Sequence, residues 1–555
     1  MSYQICELIE VASGKRKADL VLKRAEVVNV LTEEIYKADV AFYRNKIAGV
    51  GRYSGIKEID CSELYAVPGL IDAHCHVEMT MLSLSEFARL VVPRGCTCVV
   101  SDPHEIANVL GIEGIKVLSE EAKRNSIRFY FLAPSCVPSS KLETSGAEIG
   151  VKEIEDLFDL GAIGLAEVMN YPGVLNCEKN IIEKILISEG KILDGHCPKL
   201  RDQALNAYVS AGIMSDHEST DFEEAKEKLR LGMALMIREG SAARNLKNLK
   251  KLIPNRKVML VTDGDRTVVD ILKEGYMDYV FRRAVEEGID ELYALQAITI
   301  NPAEYFRINS GLIAPGRFAD VVLLKNLKKF EVEKVFVDGK EPVFEKFEYP
   351  EFVKKSVKAG KISPEKIKIE RRGLAGIIEV VDGEILTNEV VDFVDGVDVE
   401  RDIIKVVVVE RHGKSGNISV GFVKGFGIKR GALAQTIAHD AHNIVAVGVS
   451  DEEICRAVNT LIDLQGGIVV VDGSETLSLP LRIAGLMSDE NAEILAEKLL
   501  KIDKKIKELG CKLKSPVITL SFIALPVIPK LKITDLGLVD VEKFEVVDVF
   551  KSVVN

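Results

Sequence analysis

The chain has 555 residues, 47% of them hydrophobic, enough for several cores and, by length, for three or four domains. Its 73 basic and 85 acidic side chains give a net charge of −12, which argues against a nucleic-acid partner. No run of about 18 apolar residues and no charged-then-apolar leader occurs, so neither a membrane span nor a signal peptide is expected, and ten scattered cysteines without a CxxC pair suit a reduced, cytoplasmic protein.

Residues 19–66 alternate apolar and polar side chains, with Arg44-Asn-Lys46 as a hairpin turn. Val67-Pro-Gly-Leu-Ile-Asp-Ala-His-Cys-His76 then reads as an apolar strand ending in two histidines. Residues i and i+2 of a strand share a face, so His74 and His76 can aim two imidazoles at one point. Seven further apolar runs follow, and most end in a polar residue capable of chemistry. Cys96–Glu105 ends in Asp102, His104 and Glu105, whereas Arg128–Pro134 stops at a proline. Ala162–Glu167 ends in a carboxylate, and Lys191–His196 and Gly212–His217 each end in a histidine. Met233–Glu239 ends in Arg238 and Glu239, and Lys257–Asp263 in an aspartate. Helix-like segments lie between them, such as Leu84–Val91, 111–123, 181–188 and Phe222–Arg230.

Eight such units predict a (β/α)8 barrel, whose active site lies at the C-terminal strand ends. His74, His76, Glu167, His196, His217 and Asp263 all fall at those ends. Six metal-capable groups in one mouth repel one another or stay unsatisfied without a cation. After the barrel, short strands return at 316–324 and 332–338 and could pair with the N-terminal ones. The expected organisation is α/β: a small β domain from 1–67 and 310–345, a barrel at 68–309 inserted in it, a linker at 346–373, and an α+β domain at 374–555. The ion-rich helix at 489–509 reads as a solvated face.

Several motifs resemble the amidohydrolase superfamily and, within it, the adenine deaminases of the bacterial and archaeal type. The general marks are Pro68–His76, His196, His217, Asp263, Asn301-Pro-Ala303 and Gly311–Asp320. More specific are Asp102-Pro-His-Glu-Ile-Ala-Asn108, Asp216-His-Glu-Ser219, Arg238-Glu-Gly-Ser241 and Ala438-His-Asp-Ala-His-Asn443. The chain departs from the family at Glu78-Met-Thr80 and at Val261-Thr-Asp-Gly-Asp265, where a glycine separates two aspartates.

The resemblance implies hydrolytic deamination of adenine to hypoxanthine and ammonia, a step of purine salvage. It implies a binuclear divalent-metal cofactor, with His74, His76 and Asp263 on one ion, His196 and His217 on the other, and Glu167 bridging. Manganese or iron suits such a mixed set, with zinc as an alternative. Asp263 is expected to shuttle the proton, and Glu78 or Glu239 to protonate the ring. Asp102, His104 and Glu105 are expected to line the pocket or orient ligands, with helix capping by Asp102 as the plainer reading. Arg238 and Ser241 either contact the purine or order their loop. His439 and His442 close over the mouth, bind an ion or, as the favoured reading, are buried and hydrogen-bonded. A homo-oligomer is expected. Two rival readings are a cyclic-amide hydrolase of the hydantoinase or dihydroorotase kind and a non-catalytic scaffold of the same fold.

Overall fold

The computed structural model describes residues 2–551, and the chain is α/β. Helix Ser2–Ala12, which the sequence reading passes over, opens the chain and precedes a seven-stranded sheet. In that sheet Glu331–Phe336, Val321–Asn326, Tyr65–Pro68, Ala18–Asn29, Glu34–Tyr43 and Lys46–Gly51 lie side by side, with Gly55–Asp60 parallel to Ala18–Asn29. Val321 pairs with Pro68 and Leu323 with Ala66, so strands from before and after residues 70–305 share one ladder.

Between them run eight strands: Leu70–Cys75, Cys96–Ser101, Arg128–Phe131, Gly164–Val168, Ile192–Gly195, Ser215–Asp216, Ala234–Arg238 and Val258–Val261. Every pairing among them is parallel. Their sequences are near-continuous apolar runs because both faces are covered, as parallel sheets require. Asp263 N–H, just after the last strand, donates to His74 O in the first at 3.1 Å. Ile71, Ala73, Cys98, Val100, Ala166, Ala234, Met236, Met259 and Val261 pack into one interior cluster beneath the strand ends. Some of the helices between start where the sequence supplies a capping side chain. Ser83 accepts the Glu86 N–H at the start of Leu84–Val91, and Asp221 accepts from Glu223 and Glu224 at the start of Phe222–Arg230.

Beyond two short helices, Glu351–Lys354 and Pro364–Ile367, an eight-stranded sheet follows, with Ile403–Val409, Ile444–Gly448 and Ala432–Gln435 among its inner strands. Helix Ala492–Glu508 buries Leu495, Ile502 and Ile506 and exposes its charged side. This last part of the chain leans on the strand ends. Ser83 N–H donates to Ser488 O at 2.9 Å, Arg89 pairs with Glu493 at 2.7 Å, and Asn443 Nδ2 donates to Thr144 O at 2.9 Å.

Candidate active site

The six strand-end groups converge. His74 Nε2 and His76 Nε2 each lie 3.3 Å from one oxygen of Asp263. Glu167 stands between them and the other two histidines. Its Oε1 is 3.4 Å from His76 Nε2 and 3.9 Å from His74 Nε2, and its Oε2 is 2.7 Å from His196 Nδ1 and 3.2 Å from His217 Nε2. The His74 and His217 rings stack with centroids 4.1 Å apart. His104 joins the group, with Nδ1 3.5 Å from Glu167 Oε1.

The electrostatics of the protein alone are extreme. Burial works to raise the Glu167 carboxyl, but the imidazoles of His217 and His196 outweigh it and hold it well below the usual carboxylate range. Asp263 is held down in the same way by His217, His74 and His76, helped by Arg238. Burial opposes charge on the imidazoles, and the facing carboxylates overcome it: His76 and His196 rise to about 9. His74 Nε2 is fully buried and makes no hydrogen bond, although it faces both carboxylates. An orphaned imidazole nitrogen amid crowded imidazoles and two carboxylates is the donor set of a divalent-cation site, and these residues fit one.

Outer partners fix the ligand-type groups. Asp194 Oδ2 accepts from His74 Nδ1 at 3.0 Å, which leaves Nε2 to face the cluster. Asp102 O accepts from His76 Nδ1 at 2.9 Å. Tyr208 OH accepts the His196 N–H at 3.0 Å. Lys228, itself buried, donates to Asp216 and Glu224 and steadies the turn that carries His217. Asp263 has φ +58 and Gly264 φ +68. A Cβ at Gly264 would fall 2.6 Å from His76 O, so the glycine between the two aspartates lets this turn close onto the first strand. Asp194→Asn is expected to weaken metal retention by about 10- to 100-fold, the usual scale for losing such a partner. Titrating metal content against a chelator checks this, and unchanged retention would separate Asp194 from the centre.

The remaining sequence candidates divide. Asp102 does not cap the following helix. Pro103 occupies the cap position without a side-chain bond, and the Asp102 carboxylate instead accepts from His104 Nδ1 at 3.0 Å. Glu105 is bound by His439 and His442 from the far part of the chain. Glu78 Oε1 accepts the Ile106 N–H at 3.2 Å, its Oε2 has no partner, and burial raises its pKa to about 7. Arg238 spans Glu218 and Asp263, 3.1 Å from the latter. Ser241 Oγ donates to Asp270 at 2.6 Å, which orders its loop. Glu239 is not brought to the cluster; its carboxylate pairs with Arg283 at 3.3 Å.

The sequence reading missed Asp194, hidden one residue inside its strand, and Glu218, which lies 3.6 Å from His217 Nε2. It also missed the cavity beside the cluster. Its wall includes Glu78, Met79, Met81 and Glu105, the turn Gly264–Thr267 that follows Asp263, and Ile437, His439, His442, Leu486 and Val517 from the last part of the chain.

Residues 65–341 match the amidohydrolase family, and residues 381–545 match the adenine deaminase C-terminal domain. An adenine deaminase of Archaeoglobus fulgidus is 62% identical over 542 residues, covering 98% of this chain and 97% of the relative. One of Dehalococcoides mccartyi is 44% identical over 99% of both chains. One of Methanothrix thermoacetophila is also 44% identical, over 99% of this chain and 100% of its own. With that identity sustained from end to end, the chain belongs to the adenine deaminase family.

Proposed function

We propose that the protein is an adenine aminohydrolase, converting adenine and water to hypoxanthine and ammonia at a pair of divalent cations. The observation that carries this reading is Glu167, whose two oxygens face two different imidazole groups. His74, His76 and Asp263 would hold one ion, His196 and His217 the other, with Glu167 between. Manganese or iron suits this set, and zinc is the alternative. When bound, such cations lower the pKa of water and supply a nucleophile at neutral pH.

The chain's own groups do the rest. Asp263 takes the proton of the attacking water on the face of the purine and returns it to the departing amino group. Arg238 holds one Asp263 oxygen at 3.1 Å, which leaves the other toward His74 and His76. Glu78 would protonate N1, a role supported by its unpartnered oxygen in the cavity wall. Met79, Met81, Leu486 and Val517 offer apolar contact to the flat faces of the ring. Asp102 would orient His104 beside Glu167, and Ser241 would act on its loop.

We read the scaffold as a (β/α)8 barrel at 68–309, inserted in a small β domain of 1–67 and 310–345. A linker at 346–373 and an α+β domain at 374–555 follow. Among the described residues no helix is long and apolar enough to cross a membrane. We place the protein in the cytoplasm as a homo-oligomer. A cyclic-amide hydrolase would bridge its metals through a carboxylated lysine. Here the nearest downstream lysine with a buried side chain, Lys184, donates to Ser135 O at 2.7 Å and does not join the cluster. The reading is tested by a screen of aminopurines with ammonia detection, after separate reconstitution with iron, manganese and zinc. Adenine is expected to lead; preference for hydantoin or dihydroorotate ring opening would replace this reading with the rival.

A further inference from the structure

Glu105 and two imidazoles meet in the cavity wall although they lie more than three hundred positions apart in the chain. His439 Nδ1 is 2.9 Å from Glu105 Oε1, and His442 Nε2 contacts Oε2. By proximity alone the trio could hold a cation. The hydrogen bonds argue against it. His442 Nδ1 accepts the Ala438 N–H at 3.2 Å, so the single proton of the neutral ring sits on Nε2 and is donated to Glu105. A nitrogen that keeps its proton is not a ligand. Burial holds His442 in that neutral form, with its pKa lowered to about 4.

His439 differs. Its Nδ1 is on Glu105, its ring packs 4.7 Å from the Phe522 ring, and its backbone N–H donates to Ser521 O at 3.2 Å. Position and tilt are thus fixed on three sides. The other ring nitrogen, Nε2, is buried without any partner, and the residue lines the cavity together with Glu78. A buried polar atom left open in a cavity wall is the signature of a group completed by a ligand.

We infer that His439 contacts the substrate, its Nε2 hydrogen-bonding a ring nitrogen of the purine, while Glu105 and His442 are positioning residues that set the imidazole. This rests on the adenine reading and names one of its recognition groups. Burial disfavours a charge on His439, but the Glu105 carboxylate outweighs it and raises the pKa. When the ring carries both protons, Nδ1–H is donated to Glu105 and Nε2–H to the purine. Once N1 takes a proton, N3 and N7 are the ring acceptors left. The last part of the chain therefore reads the substrate directly.

The test is a cycle of variants against substrates. Wild type, His439→Phe and His439→Gln are compared on adenine, 3-deazaadenine and 7-deazaadenine, with kcat, KM and metal content measured for each. Wild type is expected to lose at least ~10-fold in kcat/KM on the analogue that lacks the contacted nitrogen, because a site built around a hydrogen bond rejects the analogue without it. His439→Phe should lose a similar factor on adenine and no longer distinguish that analogue. His439→Gln, whose amide can donate near the same point, should recover part of the loss. Both variants should keep the wild-type metal content. The inference is overturned if the variants discriminate between adenine and both analogues as wild type does, or if they lose a metal equivalent, which would make the trio an ion site. A wild-type protein that releases no ammonia from adenine would instead overturn the underlying reading.

Discussion

Glu167→Gln will strip the centre of one or both metals and abolish turnover, with the fold intact. The oxygens of Glu167 face both imidazole groups, Oε2 lying 2.7 Å from His196 and Oε1 3.4 Å from His76. An amide of the same shape keeps the packing but removes the charge that would balance the two proposed cations, and one of its two faces becomes an NH2 donor. The small residues Gly164 and Ala166 let this strand approach its neighbours. A Cβ at Gly164 would fall 2.5 Å from Ile192 O, so the glycine is needed for the close pairing. Because the carboxylate is native, reconstitution should not depend on bicarbonate. Elemental analysis, circular dichroism and an ammonia assay read the three parts of the claim. His74→Asn and His196→Asn should fall in the same direction. Normal metal content and rate in the Glu167 variant would place that residue outside the centre.

Asp263→Asn will lower kcat by at least ~10²-fold, the usual scale for losing a general acid or base. Asp263 meets His74 and His76 through one oxygen and Arg238 through the other. Asparagine retains hydrogen bonding to Arg238 through its carbonyl oxygen but cannot carry a proton between water and the leaving amine. The backbone here is left-handed, φ +58, which asparagine tolerates, so the variant should fold. Its effect should therefore fall on kcat more than on KM. A variant turning over near the normal rate would remove Asp263 from proton transfer.

Much of this arrangement was legible in the sequence because it is local. Alternation along Leu70–Cys75 puts His74 on the face where the other strand-end groups meet, and helices Leu84–Val91 and Phe222–Arg230 carry their caps in the sequence. Less visible were features set by long-range packing. The sixth strand is only Ser215–Asp216, set by pairing with Ala234 and Leu235 that the apolar pattern of residues 212–217 does not encode. Asp102 offers either a helix cap or an orienting group in the sequence, and in the structure His104 takes its carboxylate. Asp194 reads as an ordinary strand residue until His74, 120 positions away, is seen to need it. The contact of Glu105 with His439 and His442 follows from how the last sheet seats on the strand ends, which no local pattern encodes.

The most direct test is product stoichiometry from adenine by the purified full-length protein, measured after metal loading, after chelation and after reloading. The account predicts one hypoxanthine and one ammonia per adenine consumed, loss of both products on chelation, and recovery on adding manganese or iron. Turnover that survives complete removal of metal, or a loaded protein that leaves adenine untouched while opening a cyclic amide, would contradict it.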